Sequence, residues 1–410
     1  MLGGRGRTER RSGRHSGGFA ALLGLTALLG ACALLPGGDR PEPPPAPRGE
    51  TARTIGVHPG PSIDSLVLTR TDADAALASF RESCPRLLNR TDASGLTARS
   101  DWELACGVAR EWSAGAGGGD ARDFFANYFE TVRVGNGAAY ATGYFEPEIV
   151  AARARRRGYD TPIYRMPPDL VRARPGDAQP LADGKMPLGR YDQRGRFVAY
   201  HDRTAIEQGA LMGRGLELAW AADPVEFFFL QIQGSGRLRL PDGTVMRIGY
   251  AGQNGWPYTG IGGVMRDRGL VGSGRGQYSG SMQGIIQYIR DNPRDGAALM
   301  RENRSFVFLR EVIGDGPVGA LGVPVRRESS VAADPAFVPL GAPVWLDVDR
   351  READGLWVAQ DTGGAIKGAN RFDTFWGAGE DARRIAGGMS GRGKALLLLP
   401  KGTLLRLRRR

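Results

Sequence analysis

One carboxylate and one lysine lie in the glycine-rich stretch Gln360-Asp361-Thr362-Gly363-Gly364-Ala365-Ile366-Lys367-Gly368, and a second carboxylate follows in Arg371-Phe372-Asp373. The 410-residue chain has only three histidines. A histidine triad or a His-rich metal site is therefore disfavoured, and the carboxylates of Asp361 and Asp373 are the leading candidates for acid–base work. The sequence shows no metal-ligand cluster and no cofactor motif, so neither a metal nor a cofactor is predicted.

Asp361-Thr362-Gly363 is also the sequence in which an aspartic protease presents its carboxylate. Such an enzyme needs two carboxylates that share one proton. This chain has one Asp-Thr-Gly, without the internal duplication of a two-lobed protease, and we set that interpretation aside.

Asp373 is flanked by aromatic residues, Phe372 before it and Phe375 and Trp376 shortly after. Aromatic neighbours desolvate a carboxyl group and favour its protonated form, which is the form a general acid needs. Asp361 is expected to stay ionised through hydrogen bonds from the glycine-rich backbone and the proximity of Lys367. The alternative for both aspartates is turn chemistry, in which Asp is common.

Residues 1–31 have the layout of a secretory signal, with five arginines before an apolar stretch over 19–29 that is short for a bilayer span. Leu29-Gly30-Ala31-Cys32 resembles a bacterial lipobox, in which cleavage leaves Cys32 as a lipidated N-terminus. The alternative is an ordinary signal peptide. Lipidation predicts a protein anchored to, but not spanning, the periplasmic face of the outer membrane. A proline-rich linker is predicted over 32–51.

Removing residues 1–31 takes away five arginines and one glutamate, so the net charge falls from +11 to +7. A basic surface suits an anionic polymer. For an exported lipoprotein this favours the cell wall or anionic lipid and disfavours nucleic acid.

Residues 71–130 are predicted to be mostly helical. Cys84 shares a helical face with Leu77 and Phe80, and Cys106 lies in the next helical segment. In an oxidising periplasm we predict a disulfide between Cys84 and Cys106, with two buried thiols as the alternative.

Beyond about residue 140 the pattern changes to short strands. Phe227 to Gln233 and Ala395 to Leu399 are predicted strands, and Met282 to Ile289 is a helix that Ser281 caps. Helices followed by many short strands indicate an α+β fold, mainly β, with one or two barrels.

Six motifs occur in a fixed order and are more specific together than any one of them. They are Ala141-Thr142-Gly143-Tyr144-Phe145-Glu146-Pro147, Phe229-Leu230-Gln231-Ile232-Gln233-Gly234-Ser235-Gly236, Tyr250-Ala251-Gly252-Gln253-Asn254-Gly255, Asn303-Arg304-Ser305-Phe306-Val307-Phe308, Asp334-Pro335-Ala336-Phe337-Val338-Pro339-Leu340-Gly341 and the stretch quoted first. Over roughly residues 52–400 the series resembles the membrane-bound lytic murein transglycosylase A family. The C-terminal part also resembles the three-aspartate domain, with Asp334, Asp361 and Asp373 as its three aspartates.

The resemblance implies a double-psi β-barrel domain, residues 52–144 and 304–410, with an inserted β-barrel-like substrate-binding domain over 145–303. The glycan would lie in the groove between them. Asp373 corresponds to the family's catalytic aspartate in its Phe-Asp step, and Asp361 to the supporting one. The spacing between the two aspartates is about one residue longer than in the family, in the stretch 369–371.

The resemblance also implies a set of substrate-binding residues, each of which is a core or turn residue in the alternative interpretation. They are Thr142, Gly143, Tyr144, Gln233, Ser235, Tyr250, Asn254 and Lys367, with Trp256, Tyr258 and Trp376 as candidates for stacking on sugar faces.

The function implied is a lytic transglycosylase that cleaves the β-1,4 bond between N-acetylmuramic acid and N-acetylglucosamine and forms 1,6-anhydromuramic ends, with Asp373 as acid and then base. The alternatives are a muramidase-type hydrolase, in which Asp361 activates water, and a non-catalytic peptidoglycan-binding lipoprotein. The partners implied are peptidoglycan glycan strands, the outer membrane through the lipid, and other cell-wall remodelling proteins.

Overall fold

The computed structural model describes residues 49–112, 119–181, 184–314 and 316–409. The predicted signal peptide, the predicted lipidation site Cys32 and most of the predicted linker lie outside the described residues. Within the described ranges, no helix combines the length and apolar character that crossing a membrane requires.

Helices precede strands in the N-terminal part of the described chain. Its elements are α1 (Ala52–Ile55), β1 (Val57–Pro59), α2 (Arg70–Leu87), α3 (Glu103–Glu111), α4 (Ala121–Tyr128), β2 (Phe129–Val134) and β3 (Ala138–Glu146), with 3-10 turns at Ile63–Ser65 and Arg99–Trp102. The hydroxyl of Thr69 caps α2 by accepting the Asp72 N–H. Leu77 and Phe80 are buried on one face of α2, as the helical spacing predicted.

The first three longer helices are held together by a disulfide and an aromatic cluster. Cys84 of α2 and Cys106 of α3 form a disulfide with a Cα–Cα distance of 5.5 Å. The rings of Phe80, Phe124 and Phe129 pack with centroids 5.3–6.0 Å apart. Burial of each such side chain contributes about 1.5–3 kcal/mol, so this cluster fixes the helices against β2.

The middle of the chain forms a second body with its own sheets. Its elements are β4 (Glu148–Ala152), β5 (Thr161–Tyr164), β6 (Val171–Arg172), β7 (Leu188–Tyr191), β8 (Phe197–Val198), α5 (Arg203–Ala205), a π-helical turn Ile206–Ala210, β9 (Glu217–Ala221), α6 (Pro224–Gln233), β10 (Ser235–Arg239), β11 (Val245–Gln253), α7 (Ile261–Asp267), α8 (Met282–Asp291), α9 (Pro293–Glu302) and β12 (Val307–Glu311). Six strands form one sheet in the order β12-β11-β10-β4-β9-β5, and β6, β7 and β8 form a smaller one.

The strand predicted over Phe227 to Gln233 is wrong, because this segment is helix α6. Asp223 caps its first turn, Pro224 occupies the first helical position and Gly234 ends the helix with a positive φ of 79°. The predicted helix over Met282 to Ile289 is confirmed as α8, which Ser281 caps by accepting the Gly284 N–H.

The C-terminal part returns to the first body. Its elements are β13 (Ser330–Ala333), β14 (Pro343–Val348), a 3-10 turn Arg351–Ala353, β15 (Gly355–Asp361), β16 (Arg371–Ala378), α10 (Glu380–Gly388), β17 (Ser390–Pro400) and α11 (Thr403–Arg408). The predicted strand over Ala395 to Leu399 is confirmed as part of β17.

Six strands of the first body close into a ring. The order β17-β14-β15-β13-β16-β3 is completed by pairing of β3 with β17, and β2 and β1 extend it from β17. Among the pairs of neighbouring strands in the ring, β13–β15 and β16–β3 are parallel, and the others are antiparallel. The observed mixture of helices and mixed sheets confirms the α+β class.

Separate apolar cores underlie the two bodies. The largest is built from residues of α1–α4, β2, β3 and the C-terminal strands. A second lies wholly between residues 149 and 309, and a third joins α6, α7, α8 and α9.

Candidate active site

Asp373 lies on β16, between β13 and β3 of the ring. Its backbone is in register with Ala332 on one side and Thr142 on the other. Side chains alternate along a strand, so Phe372 and Trp376 point into the main core while Asp373 and Phe375 share the opposite face. The sequence neighbours Phe372 and Trp376 therefore do not provide the predicted aromatic setting. Asp373 itself is partly exposed.

The carboxyl group of Asp373 is held by the neighbouring strand. The hydroxyl of Thr142 donates to Asp373 Oδ1 at 2.5 Å. That hydroxyl in turn accepts a hydrogen bond from Nη1 of Arg371 at 3.0 Å. The parallel register of β3 and β16 thus brings three polar side chains together on one face of the ring.

Tyr144 links Asp373 to the second candidate carboxylate. It is two residues beyond Thr142 on the same face, its ring lies 4.9 Å from that of Phe375, and its hydroxyl donates to Asp361 Oδ2 at 3.1 Å. Burial, followed by the negative charges of Asp361 and Asp373, raises the pKa of Tyr144 well above its usual range. The phenol therefore stays protonated and remains a hydrogen-bond donor.

Asp361, at the end of β15, is fully engaged by hydrogen bonds. Its Oδ1 accepts the backbone N–H groups of Ala320 and Thr362, both at 2.8 Å, and its Oδ2 accepts from Tyr144. Burial raises its pKa, and these three hydrogen bonds act in the opposite direction because they favour the carboxylate. Through these hydrogen bonds, Asp361 connects the loop before β13, which contains Ala320, to the start of the glycine-rich loop at Thr362.

Lys367 does not form an ion pair with Asp361 in the part of the chain that the structure describes. Lys367 is exposed in the glycine-rich loop, and no ion pair joins the two within the described ranges. The expectation that Lys367 keeps Asp361 ionised is therefore wrong, since backbone N–H groups and a phenol surround this carboxylate instead. Lys367 is left facing solvent at the rim of the loop.

Asp334, the first of the three aspartates, closes the same loop from its other end. Its Oδ2 accepts the N–H of Gly368 at 2.9 Å and its Oδ1 that of Ala336 at 3.1 Å. Beyond Gly368 the chain passes through Asn370, which has a positive φ of 54° and donates to the Val134 carbonyl. The stretch in which the sequence has its extra residue is thus a buried turn that leads directly into β16.

Two residues predicted to face the sugar lie on the core side of the sheet. A Cβ atom on Gly143 would come within 2.9 Å of the Ala386 backbone and of the Trp376 indole nitrogen, so this glycine permits close packing of α10. Trp376 is 2% exposed and donates to Thr374 Oγ1. Its predicted role as a sugar platform is wrong, because its ring is in the core.

Two further predicted binding residues serve as internal links. Asn254 is 0% exposed, its amide donates to the carbonyls of His201 and Arg304, and its oxygen accepts the N–H of Phe306. With its hydrogen bonds satisfied by backbone, it is a structural residue and its predicted contact with substrate is wrong.

Gln233, at the end of α6, connects the two bodies. Its Oε1 accepts the N–H of Phe145 at 3.0 Å, where β3 leaves the ring. Gln233 therefore lies where the two bodies meet, and its side-chain carbonyl oxygen already accepts a hydrogen bond from the protein.

The remaining predicted residues lie on the second body. Ser235 begins β10 and is partly exposed, and Tyr250 on β11 is 52% exposed. Trp256 is partly buried beneath the guanidinium of Arg304, which lies 3.4 Å from the ring centroid. Tyr258 is 37% exposed, and its Cβ lies 3.8 Å from the position of a Cβ on Gly364, so it adjoins the glycine-rich loop.

A cavity of about 480 Å³ lies further along β3 and β16. Glu146, at the end of β3, forms part of its wall, together with Phe375 and Val325. Burial raises the pKa of Glu146, and its nearest cationic group is Arg247 Nη2, 3.9 Å away. Phe375, which shares its face of β16 with Asp373, lines this cavity.

In the part of the chain that the structure describes, no group of three or more His, Cys, Asp or Glu side chains is placed to hold a metal ion. The residue that sequence reasoning missed is Arg371. Its position two residues before Asp373 was a usable signal, because residues i and i+2 of a strand share a face.

The chain matches two family descriptions. Residues 140–310 match the MltA specific insert domain and residues 329–399 match the 3D domain. Among characterised proteins, the chain is 30% identical over 331 residues to membrane-bound lytic murein transglycosylase A of Escherichia coli K12, covering 78% of this chain and 79% of that protein. It is 35% identical to the Vibrio cholerae protein of the same name over 196 residues, which cover 45% of this chain and 52% of that protein.

Solved structures agree with these matches. A membrane-bound lytic murein transglycosylase from Agrobacterium tumefaciens superimposes with a TM-score of 0.74 at 28% identity, covering 86% of this chain and 99% of that one. E. coli MltA with bound chitohexaose gives a TM-score of 0.58 at 28% identity, covering 81% and 90%.

These findings confirm the class of enzyme predicted from the sequence, a peptidoglycan lytic transglycosylase. The chain belongs to the membrane-bound lytic murein transglycosylase A family.

Proposed function

We propose that Asp373 is the single acid and base of the transglycosylase reaction. The carrying observation is the hydrogen bonding of the two carboxylates on this face. Asp373 is partly exposed and accepts a hydrogen bond from Thr142. Both oxygens of Asp361 are occupied by hydrogen bonds from Ala320, Thr362 and Tyr144. Asp361 is thus poorly placed to activate water, which favours the transglycosylase over the hydrolase alternative.

The proposed chemistry needs no second carboxylate. Protonated Asp373 gives its proton to the glycosidic oxygen as the bond to C1 of the muramic residue breaks. The muramic C6 oxygen attacks C1, and its hydroxyl proton passes to the Asp373 carboxylate, which restores the acid. Water is not consumed, and intramolecular attack in a well-oriented sugar contributes about 7–11 kcal/mol through effective molarity.

The environment of Asp373 supports both of its proposed states. The Thr142 hydrogen bond stabilises the carboxylate that must accept the C6 proton. The neighbouring Tyr144 is a neutral phenol, so it adds no competing negative charge. In this proposal Asp361 fixes Tyr144 and the loop around Ala320 and acts as a supporting residue without touching the substrate.

Glycan strands would lie along the boundary between the ring and the second body. Chitohexaose, bound in the E. coli relative, is an N-acetylglucosamine polymer, which supports a glycan-binding groove in this chain. Tyr258 beside the glycine-rich loop is the aromatic group best placed for a sugar face, with the hydroxyl groups of Ser235 and Tyr250 on the second body. Lys367, exposed at the loop, is suited to a carboxylate of the peptidoglycan.

The domain organisation belongs to the same proposal. We infer that the closed six-stranded ring is a double-psi β-barrel formed by residues 52–144 and 304–410, with 145–303 inserted as a β-barrel-like domain. The two parallel pairs in the ring and the separate apolar cores support this division. Lipidation at Cys32, attachment to the periplasmic face of the outer membrane and contacts with other wall-remodelling proteins remain hypotheses from the sequence.

The test is digestion of purified peptidoglycan sacculi by a soluble form lacking residues 1–32, beside Asp373→Asn and Asp373→Ala. Products are identified by mass spectrometry, and sacculus binding is measured by co-sedimentation. The proposal expects anhydromuramic ends from the parent enzyme, retained binding by both variants and no cleavage by either. Cleavage by a folded Asp373→Asn enzyme would refute the role of Asp373. Binding without cleavage by the parent protein would favour the binding module.

A further inference from the structure

The short helix α11 is amphipathic and lies on the surface of the first body. Leu404 is buried in the main core, and Leu407 packs partly buried against it. The other face of the helix carries Leu405, which is 55% exposed, and the exposed side chains of Arg408 and Arg409. Residues three and four apart share a helix face, so Leu405, Arg408 and Arg409 form one outward-facing surface.

The position of this surface is fixed by the arginine on the flank of the helix. Arg406 donates to Oδ1 of Asp101 at 3.2 Å and to Oδ2 at 2.6 Å, and also to the Leu96 carbonyl at 2.7 Å. The charge of Arg406 is thus neutralised within the protein. Among the described residues, no carboxylate forms an ion pair with Arg408 or Arg409. Their two charges face outward beside an exposed leucine.

The described chain begins beside α11. Arg53 of α1 donates its backbone N–H to the Ser94 carbonyl at 3.3 Å, and Leu96, two residues further on, binds α11 through its own carbonyl. Cys32 precedes Gly49 by 17 residues, which span at most about 60 Å. A lipid on Cys32 would therefore hold the folded body by the side on which α11 lies.

We propose that the outward face of α11 docks on the anionic phospholipid headgroups of a membrane surface. The guanidinium groups of Arg408 and Arg409 are suited to lipid phosphates, which they bind through several N–H donors. Leu405 offers an aliphatic side chain to the boundary between headgroups and acyl chains. The contact uses neither Asp373 nor the glycan groove, so it goes beyond the proposed function and sets which side of the enzyme faces the lipid.

The exposed leucine favours a lipid surface over the acidic cell wall as the partner. A hydrated polyanion attracts arginines, and its affinity depends on charge and salt. It offers an aliphatic side chain little apolar surface on which to be buried. A membrane that contains anionic lipid satisfies both halves of this helix face, because it combines surface charge with an apolar interior.

The chain contains a second pair of adjacent arginines that serves as a matched control. Arg156 and Arg157 are exposed, like Arg408 and Arg409, but they lie between β4 and β5 of the second body. The variants Arg408→Gln/Arg409→Gln and Arg156→Gln/Arg157→Gln have the same net charge. They differ only in the place from which two positive charges are removed.

The experiment measures co-sedimentation of the soluble form lacking residues 1–32 with phosphatidylcholine vesicles that contain or lack phosphatidylglycerol. The parent protein is expected to bind only the vesicles with phosphatidylglycerol. Arg408→Gln/Arg409→Gln should bind them about thirtyfold more weakly at low salt, since each arginine at an anionic surface contributes about fivefold. The control pair should keep the parent affinity. Leu405→Gln should weaken binding at unchanged charge. Thermal unfolding verifies that each variant is folded, and all variants should digest sacculi at the parent rate.

Equal losses in the two double variants would mean that net charge alone drives vesicle binding and would overturn the inference. So would a parent protein that does not bind phosphatidylglycerol, or parent-like binding by a folded Arg408→Gln/Arg409→Gln. Weaker sacculus binding by that variant, with vesicle binding insensitive to Leu405→Gln, would make the cell wall the partner instead. A dimer that Leu405→Gln dissociates would make a second copy the occupant. None of these results bears on Asp373, whose role is tested by the anhydromuramic products.

Discussion

Replacing Asp361 with asparagine is expected to leave all three of its hydrogen bonds in place. Oδ1 of the amide can still accept from the N–H groups of Ala320 and Thr362, which both bind that oxygen now. The new amide nitrogen takes the place of Oδ2 and donates to Tyr144, whose hydroxyl turns from donor to acceptor. Asp361→Ala, in contrast, leaves these partners without an acceptor.

The magnitudes follow from burial. An unsatisfied buried polar group costs about 1–3 kcal/mol. Tyr144 is buried and Thr362 is partly buried, whereas Ala320 is exposed and water can replace its lost partner. Asp361→Ala is therefore expected to lower the free energy of unfolding by about 2–4 kcal/mol, and Asp361→Asn by less than about 1 kcal/mol.

The pH dependence has a defined sign. Because the folded-state pKa of Asp361 is raised, its stabilising contribution is present below its ordinary pKa and is lost as pH rises through the folded value. Asparagine does not titrate. The stability of Asp361→Asn relative to the parent enzyme should therefore improve between pH 4 and pH 8.

Denaturant unfolding at both pH values measures these differences, and sacculus digestion measures activity. A supporting Asp361 predicts that the asparagine variant keeps activity within about tenfold of the parent, since loss of an acid–base group costs about a hundredfold or more. An asparagine variant that is as stable as the parent but inactive would refute the supporting role and give Asp361 a part in the chemistry.

Three further outcomes follow from the described contacts. Cys84→Ala/Cys106→Ala, which opens a loop with a sequence separation of 22, should lose about 3 kcal/mol of stability; reductant should destabilise the parent enzyme in thermal unfolding but not this variant. Asn254→Ala should lose about 2–4 kcal/mol because several buried backbone groups lose their partner, while KM of the folded fraction stays unchanged; a raised KM would restore the predicted sugar contact. Glu146→Gln should gain stability relative to the parent enzyme as pH rises from 4 to 8, because the raised pKa of Glu146 makes its ionised form the penalised one; an unchanged difference in unfolding free energy would contradict its burial as the cause.

Short sequence patterns correctly predicted those helices whose apolar spacing and capping residues indicate the same structure. The apolar spacing around Leu77 and Phe80 gave helix α2, and Ser281 before an apolar helical face gave α8. The segment Phe227 to Gln233 was wrongly predicted to be a strand because aromatic and β-branched residues favour strands. The capping residues Asp223, Pro224 and Gly234 outweigh that preference and make the segment a helix.

The candidate site was predictable as a set of residues but not as an arrangement. Motif order identified Asp373, Asp361, Thr142 and Tyr144, and the parallel pairing of β3 with β16 brings them together. That pairing joins residues 231 positions apart, as in the Thr142–Asp373 bond, and no local pattern encodes it.

The same limit explains the errors within the site. Trp376 lies in the core because it is on the core-facing side of β16. Asn254 binds backbone groups of Arg304 and Phe306, which are distant from it in the sequence. Arg371 was overlooked because its importance depends on a hydroxyl from another strand. Residue type alone does not distinguish a buried amide whose hydrogen bonds are all made within the protein from an amide that binds a sugar.

Digestion of sacculi in water enriched in oxygen-18 tests the central claim most directly. The soluble form lacking residues 1–32 is used, and the muramic ends are reduced and analysed by mass spectrometry. Attack by the muramic C6 oxygen predicts anhydro ends that contain no oxygen from the solvent and resist reduction. Reducible muramic ends that carry solvent oxygen would show that water is the nucleophile and would contradict Asp373 as the single acid and base of a transglycosylase.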